Sequence, residues 1–240
     1  VTDDVAAICV SRPTNPTGNV LTNAELERLD ELARAHEVPL LIDNAYGTPF
    51  PDIIFTGAEP IWNENIILSM SLSKIGLPSL RTGILVANPD VVRTVGAMNA
   101  VLSLANNTMG QALTEQLFET GEILRISRGI VRPFYERKRD HAMACIRTAF
   151  ADRFPWSIHR PEGSLFLWAW FRDLPGTTTQ LYERLKERDT IVVPGRYFSF
   201  GGHDGWDHAD RCIRINYAMA DDDVQRGIEI IGEEVARMWG

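Results

Sequence analysis

No stretch of this chain approaches the eighteen or so consecutive apolar residues that a membrane-crossing helix requires, so no membrane association is expected. Cations are in deficit as well. The chain holds 24 Lys and Arg against 32 Asp and Glu, a formal net charge of -8. Such a balance repels a polyphosphate backbone, and nucleic acid is not an expected partner. Cysteine is scarce: Cys9, Cys145 and Cys212 lie far apart, odd in number and without a C-x-x-C pair. That pattern excludes a disulfide framework and fits a reducing, cytoplasmic compartment. The opening "VTDDVAAICVS" lacks the basic flank and long apolar region of a secretory signal. Internal repeats and low-complexity tracts are absent too.

What is present is the composition of a globular chain. With 240 residues, 45% of them hydrophobic and 23% charged, it can bury one large core or two modest ones. In the first half, the runs "VAAICV", "PLLID", "NIILSM" and "TGILVA" alternate with helical patterns. Their apolar residues are consecutive rather than alternating, as in central strands of a parallel sheet built from βαβ units. Between the first two runs, Thr22 and Glu25 have capping-box spacing, and Leu26, Leu29, Leu32 and Ala33 share one helical face. A helix over about Thr22–His36 follows. The second half opens with a mixed-charge helical pattern over Arg128–Phe150. After it come "GSLFLWAWF", a helix over Thr178–Arg188, "TIVVPG", "RCIRINYA" and a last helix over Asp221–Met238. Strands with few intervening helices suggest a smaller α+β domain. The expected division is a cofactor-binding portion over 1–126 and a small domain over 127–240.

In open α/β sheets, ligands bind beyond the carboxyl ends of the strands. There the first run delivers Asn15-Pro16-Thr17-Gly18, the second Asp43 and Tyr46, and the third Ser71, Ser73 and Lys74, with Arg81 seven residues on. Taken singly, each has an ordinary explanation. Asn-Pro-Thr-Gly makes a good turn, Asp43 could cap a helix, and Lys74 could be a solvated loop lysine. Arg214 alternates with Ile213 and Ile215 and could be a charge on a strand's solvent face. Together they meet one chemical requirement. A lysine amine, a serine–arginine set for a phosphate and a carboxylate for a pyridinium nitrogen are what pyridoxal phosphate asks of a protein.

The ordered set "NPTG", "DNAY", "SMSLSKIGLPSLRTG" and "RINY" resembles the class I/II, fold-type I pyridoxal-phosphate aminotransferases over essentially the whole chain. The resemblance implies a mainly parallel α/β sheet, incomplete at its N-terminal side, with helices on both faces, plus a smaller C-terminal α+β domain. It implies pyridoxal 5'-phosphate as cofactor and Lys74 as its covalent carrier. Asp43 would sit on the pyridine nitrogen, and Asn15 and Tyr46 on the phenolic oxygen. Ser71 and Arg81 would hold the phosphate, helped by Ser73. Arg214 would grip the substrate α-carboxylate beside Asn15. The implied reaction moves an amino group between L-valine, or a similar small aliphatic amino acid, and pyruvate. Its products are 3-methyl-2-oxobutanoate and L-alanine, a step of amino acid biosynthesis in a homodimer. Segments that precede "NPTG" in the family do not precede it here. The chain is therefore expected to be the C-terminal part of a longer enzyme and inactive alone.

Two rivals stay open at this stage: a non-enzymatic effector domain on the same fold, and another pyridoxal-phosphate enzyme such as a β-lyase. No metal site is expected. His203, Asp204, Asp207 and His208 of "GGHDGWDHAD" follow no zinc spacing and are assigned to a polar loop.

Overall fold

Each of the four apolar runs of the first half forms a strand: β1 (Ile8–Ser11), β2 (Leu40–Asp43), β3 (Ile66–Ser71) and β4 (Gly83–Val86). The structure, a computed structural model, describes residues 1–199 and 206–240. Its chain divides into two compact units, one of Val1–Thr14, Val20–Pro133 and Glu162–Ser164, the other of Asn15–Asn19, Phe134–Pro161 and Leu165–Gly240.

In the first unit the sheet order is β1-β2-β3-β4. The first three strands are parallel, in a register that aligns Ile8, Leu40 and Ile66 and, three positions on, Ser11, Asp43 and Ser69. The fourth strand runs antiparallel to β3, pairing Ser71 with Gly83. Its direction follows from the short connection over 72–82, since a parallel return needs a crossover of a dozen or more residues. Within this sheet β1 is an edge strand rather than a central one, and Cys9 upon it is exposed.

Helix α1 (Asn23–Ala35) starts at the capping box expected for it, Thr22 and Glu25 satisfying each other's backbone. Its Leu26 and Ala33 pack with Leu40, Ile42, Ile66 and Leu68 of the sheet in one core. Burying side chains of this size contributes about 1.5–3 kcal/mol each. A second cluster joins Phe50, Leu72 and Ile123 with Met70, Ile75, Leu77 and Ile84. Helices α2 (Pro89–Ser103), α3 (Met109–Glu119) and α4 (Glu122–Ile126) follow, then a wider turn over Ser127–Val131 that leads into α5 (Arg132–Phe150).

The second unit holds β5 (Trp156–Ile158), β6 (Phe166–Phe171), α6 (Thr178–Lys186), β7 (Val193–Pro194), β8 (Cys212–Asn216) and α7 (Asp221–Trp239). The sheet order is β5-β6-β8-β7, antiparallel throughout. Ala142, Ile146 and Phe150 of α5, Leu181 and Leu185 of α6, and Val224, Ile228, Ile231 and Val235 of α7 recur at helical spacing. All pack in one core with Leu167, Ala169, Phe171, Ile213 and Ile215. Strand alternation turns the intervening Phe166, Trp168, Trp170, Cys212 and Arg214 to the sheet's other face.

Candidate active site

Local sequence explains how the first unit presents its polar residues. Leu72 is fully buried and Ile75 packs beside it, so the turn over Leu72–Ile75 is anchored by its apolar members. Lys74 lies between them at intermediate exposure. The Ser71 hydroxyl accepts the Ser73 N–H at 3.2 Å and caps that turn, which ends at Gly76 with φ 108°, a conformation that favours glycine. The antiparallel return then brings Thr82 back to Leu72, whose N–H it accepts at 3.1 Å. Arg81, just before it, adopts the left-handed region at φ 47°. A non-glycine residue there costs about 1–2 kcal/mol. Its guanidinium donates to Ser73 Oγ and Pro78 O at 3.4 Å each. Ser71, Ser73, Lys74 and Arg81 thus belong to one folded-back segment.

Beside it, at the carboxyl end of β2, Asp43 is exposed. Its carboxylate accepts from Ala45 N at 3.2 Å and lies 3.5 Å from Ser69 Oγ. It caps a turn, not a helix. Tyr46 is buried, and Lys74 Nζ stands 5.4 Å from its ring centroid. Among the described residues, Asp43, Lys74 and Arg81 enter no ion pair with one another or with any other residue. The chain's other lysines, Lys138 and Lys186, lie in the second unit. Lys138 is engaged by Asp221 Oδ1 at 2.7 Å and by Met219 O at 2.5 Å.

Asn15 and Arg214 belong to the second unit, where Arg214 Nη1 donates to Asn15 Oδ1 at 2.7 Å. Arg214 is not a charge left in solvent. Its Cζ lies 4.0 Å from the Phe166 ring centroid and 4.8 Å from that of Phe198. Neither aromatic was singled out from sequence. The signal available was the alternation of "FLWAWF", which in the observed pairing of Trp168 with Arg214 puts Phe166 diagonally beside the arginine.

A family model for aminotransferases of class I and II matches residues 2–231. The chain belongs to the class I and II aminotransferases. It is 46% identical over 237 residues to the valine–pyruvate aminotransferase of Escherichia coli K12, an alignment spanning 99% of this chain and 57% of that protein. The crystal structure of valine–pyruvate aminotransferase from Salmonella typhimurium LT2 superposes with a TM-score of 0.95 at 47% identity, covering 100% of this chain and 61% of that one. An amino-acid aminotransferase structure from Psychrobacter arcticum 273-4 gives 0.95 and 47%, covering 97% and 53%. The chain thus spans a little over half the length of the relatives it matches.

Aminotransferases of this family depend on pyridoxal phosphate, and the donor set of the first unit fits that group. Arg81, Ser71 and Ser73 suit a phosphate, an arginine fork and two hydroxyls being typical donors for it. The Lys74 amine accepts a covalent partner, and the exposed Asp43 carboxylate can meet a ring nitrogen. Away from these candidate residues, a groove of about 690 Å³ runs along α7 beside Val192, Ile215, Val224 and Ile228. In the histidine-rich loop, His203 and Asp204 lie outside the described residues. Asp207 pairs with Arg211, and His208 lies against Trp170, Trp206 and Cys212.

Proposed function

We propose that this chain carries the catalytic lysine and the carboxylate-binding arginine of an aminotransferase that moves an amino group between L-valine and pyruvate. The reading rests on one observation above all. The folded-back segment from Ser71 to Arg81 holds an uncommitted lysine amine beside two hydroxyls and a guanidinium, with an exposed carboxylate on the neighbouring strand end. Identity to the valine–pyruvate enzymes supports the substrate pair.

When bound, pyridoxal phosphate supplies the electron sink for the pair released at the substrate's Cα. Ser71, Ser73 and Arg81 would hold its phosphate, and Tyr46 and Asn15 are the proposed donors to its phenolic oxygen. Asp43 would keep a proton on the ring nitrogen through its carboxylate. Lys74 Nζ would hold the cofactor, and its amine, when free, would take the Cα proton as general base. Arg214, with Asn15, fixes the α-carboxylate through its planar fork, which a point charge cannot replace. The same residues then serve the keto acid in reverse, so initial rates follow a ping-pong pattern.

The wider proposal assigns residues 1–126 to cofactor binding and 127–240 to the small domain. It places the enzyme as a homodimer in the cytoplasm, within amino acid biosynthesis. Free Cys9, Cys145 and Cys212 support a reducing compartment, and exposed Val95, Met98, Val101 and Leu102 on α2 support association. The test is borohydride reduction of the intact enzyme with pyridoxal phosphate, followed by peptide mapping, alongside valine-dependent alanine formation from pyruvate. A pyridoxyl label on Lys74 is expected. A label on Lys138 or Lys186 instead, or faster turnover of aspartate or an aromatic amino acid, refutes the assignment.

A further inference from the structure

An arginine that binds a carboxylate from the outer face of a sheet faces a specific difficulty. Its long side chain samples many rotamers in solvent, and each carboxylate that arrives must first still it. In this chain the guanidinium of Arg214 lies against two rings, Phe166 at 4.0 Å and Phe198 at 4.8 Å from its Cζ, both within the range of a cation–π contact. Asn15 Oδ1 accepts one of its N–H groups at 2.7 Å.

The rings are themselves held. Phe166 is buried on β6, in register with Asn216 of β8. Phe198 ends the short turn Gly195–Phe198, and its ring meets Trp168 edge-on, with centroids 5.6 Å apart at 84°. Trp168 is buried on β6. At the other end of the turn, Gly195 presses on β8 so closely that a Cβ would stand 2.5 Å from Ala209 O and 2.8 Å from Cys212 Cβ. The turn carrying Phe198 is therefore held at one end against Trp168 of β6 and at the other against β8, the strand that carries Arg214.

We propose that Phe166 and Phe198 are positioning residues that clamp the Arg214 guanidinium in one plane, so that it meets a carboxylate already oriented for two parallel hydrogen bonds. The proposal rests on the reading of Arg214 as the carboxylate site. Trp168 and Cys212 act one step further back, by fixing Phe198. Preorganisation of this kind is worth about 3- to 10-fold in affinity, the scale of one immobilised side chain or one partly desolvated cation–π contact.

The experiment uses 15N-labelled Val1–Gly240 and follows the Arg214 Nε–Hε resonance, assigned by its loss in Arg214→Lys. The Hε signal should be shifted by the two rings and should move toward the ordinary arginine position in Phe166→Leu and Phe198→Leu. Titration with 3-methylbutanoate, a carboxylate without an amino group, should give about 3- to 10-fold weaker binding in each Leu variant. Phe198→Tyr, which keeps the ring, should restore it. Thermal melts identify any variant that has lost its fold, in which case Phe198→Tyr and the unsubstituted protein decide. An Hε signal at the ordinary position in the unsubstituted protein overturns the clamp. So does a loss of affinity in Arg214→Lys that neither Leu variant shares, which leaves the Arg214 reading standing. Unchanged affinity in Arg214→Lys, or no binding by the unsubstituted chain, defeats that reading and the clamp with it.

Discussion

The two units treat their helices differently. In the second unit α5, α6 and α7 each give one apolar face to a shared core, and Ile146, Phe150, Leu181, Leu185 and Val235 are fully buried. In the first unit α1 does the same, but α2 buries no residue at all. Val101 and Leu102 are 87% and 80% exposed. Helices in proteins draw most of their stability from the packing of such faces, so α2 contributes little to the unit that carries it. Chemistry divides along the same line. The first unit holds Lys74 and Arg81 on the connection between β3 and β4 and Asp43 at the end of β2, whereas the second holds Arg214 in mid-strand, against aromatic rings.

The largest expected effect is chemical. Lys74→Ala should abolish the pyridoxyl label and reduce transamination by about 10²- to 10⁴-fold, the usual weight of a general base. Lys138→Ala should leave the label where it is, as peptide mapping will show. Next comes packing. Phe171→Ala, in the second unit's core, should cost about 3–5 kcal/mol, whereas Leu102→Ser on α2 should change stability by no more than about 0.5 kcal/mol. Urea unfolding measures both, and similar costs would mean that the contrast between the helices is false. Arg214→Lys should then lower kcat/KM about 10- to 150-fold for valine and pyruvate alike, matching about 1.5–3 kcal/mol of lost charged hydrogen bonding. The absorbance of bound cofactor should not change.

Thiol chemistry gives a finer comparison. Burial pushes the Cys212 thiol up to about 12, so at pH 8 it stays protonated, while Cys9 is exposed. Cys9 should react with a thiol reagent first. Cys212 should react only as the second unit opens, and its labelling rate should fall in step with any substitution that stabilises that unit. The smallest effect concerns Asp52, buried in the first unit with Arg132 at 3.7 Å. Burial raises its carboxyl above 3.8 despite the attraction of Arg132. A raised acid contributes stability that is complete below 3.8 and is lost as pH rises through the folded-state value. The urea midpoint of the parent should therefore decline through that range relative to Asp52→Asn, and parallel curves would contradict the assignment.

How far the sequence could be read depended on how local the signal was. The strands of the first sheet were legible as unbroken apolar runs, and α1 from its capping box. The antiparallel direction of β4 was missed, although the short connection from Ser71 to Gly83 already forbade a parallel crossover. Helix α2 was not singled out, although Val91, Val95, Met98 and Leu102 recur at i, i+4, i+7 and i+11 on one helical face. Pairing over three residues left β5 without a pattern. Two short segments change units, Asn15–Asn19 and Glu162–Ser164, through contacts distant in sequence. The polar site residues stood out because they cluster just after strand ends. Phe166 and Phe198 did not, since an aromatic residue in a strand or turn reads as core until its cationic neighbour is known.

Gly195 bears on how this protein can vary by mutation. No ligand is assigned to it, its backbone needs no unusual φ, and a list of chemically active positions would pass over it. Yet the space where its side chain would begin is already taken by the Ala209 carbonyl and Cys212. Even alanine would have to lift the turn off β8 and carry Phe198 away with it. In a scan of all single substitutions scored by growth, position 195 should tolerate as little change as the proposed catalytic lysine, and for a wholly mechanical reason.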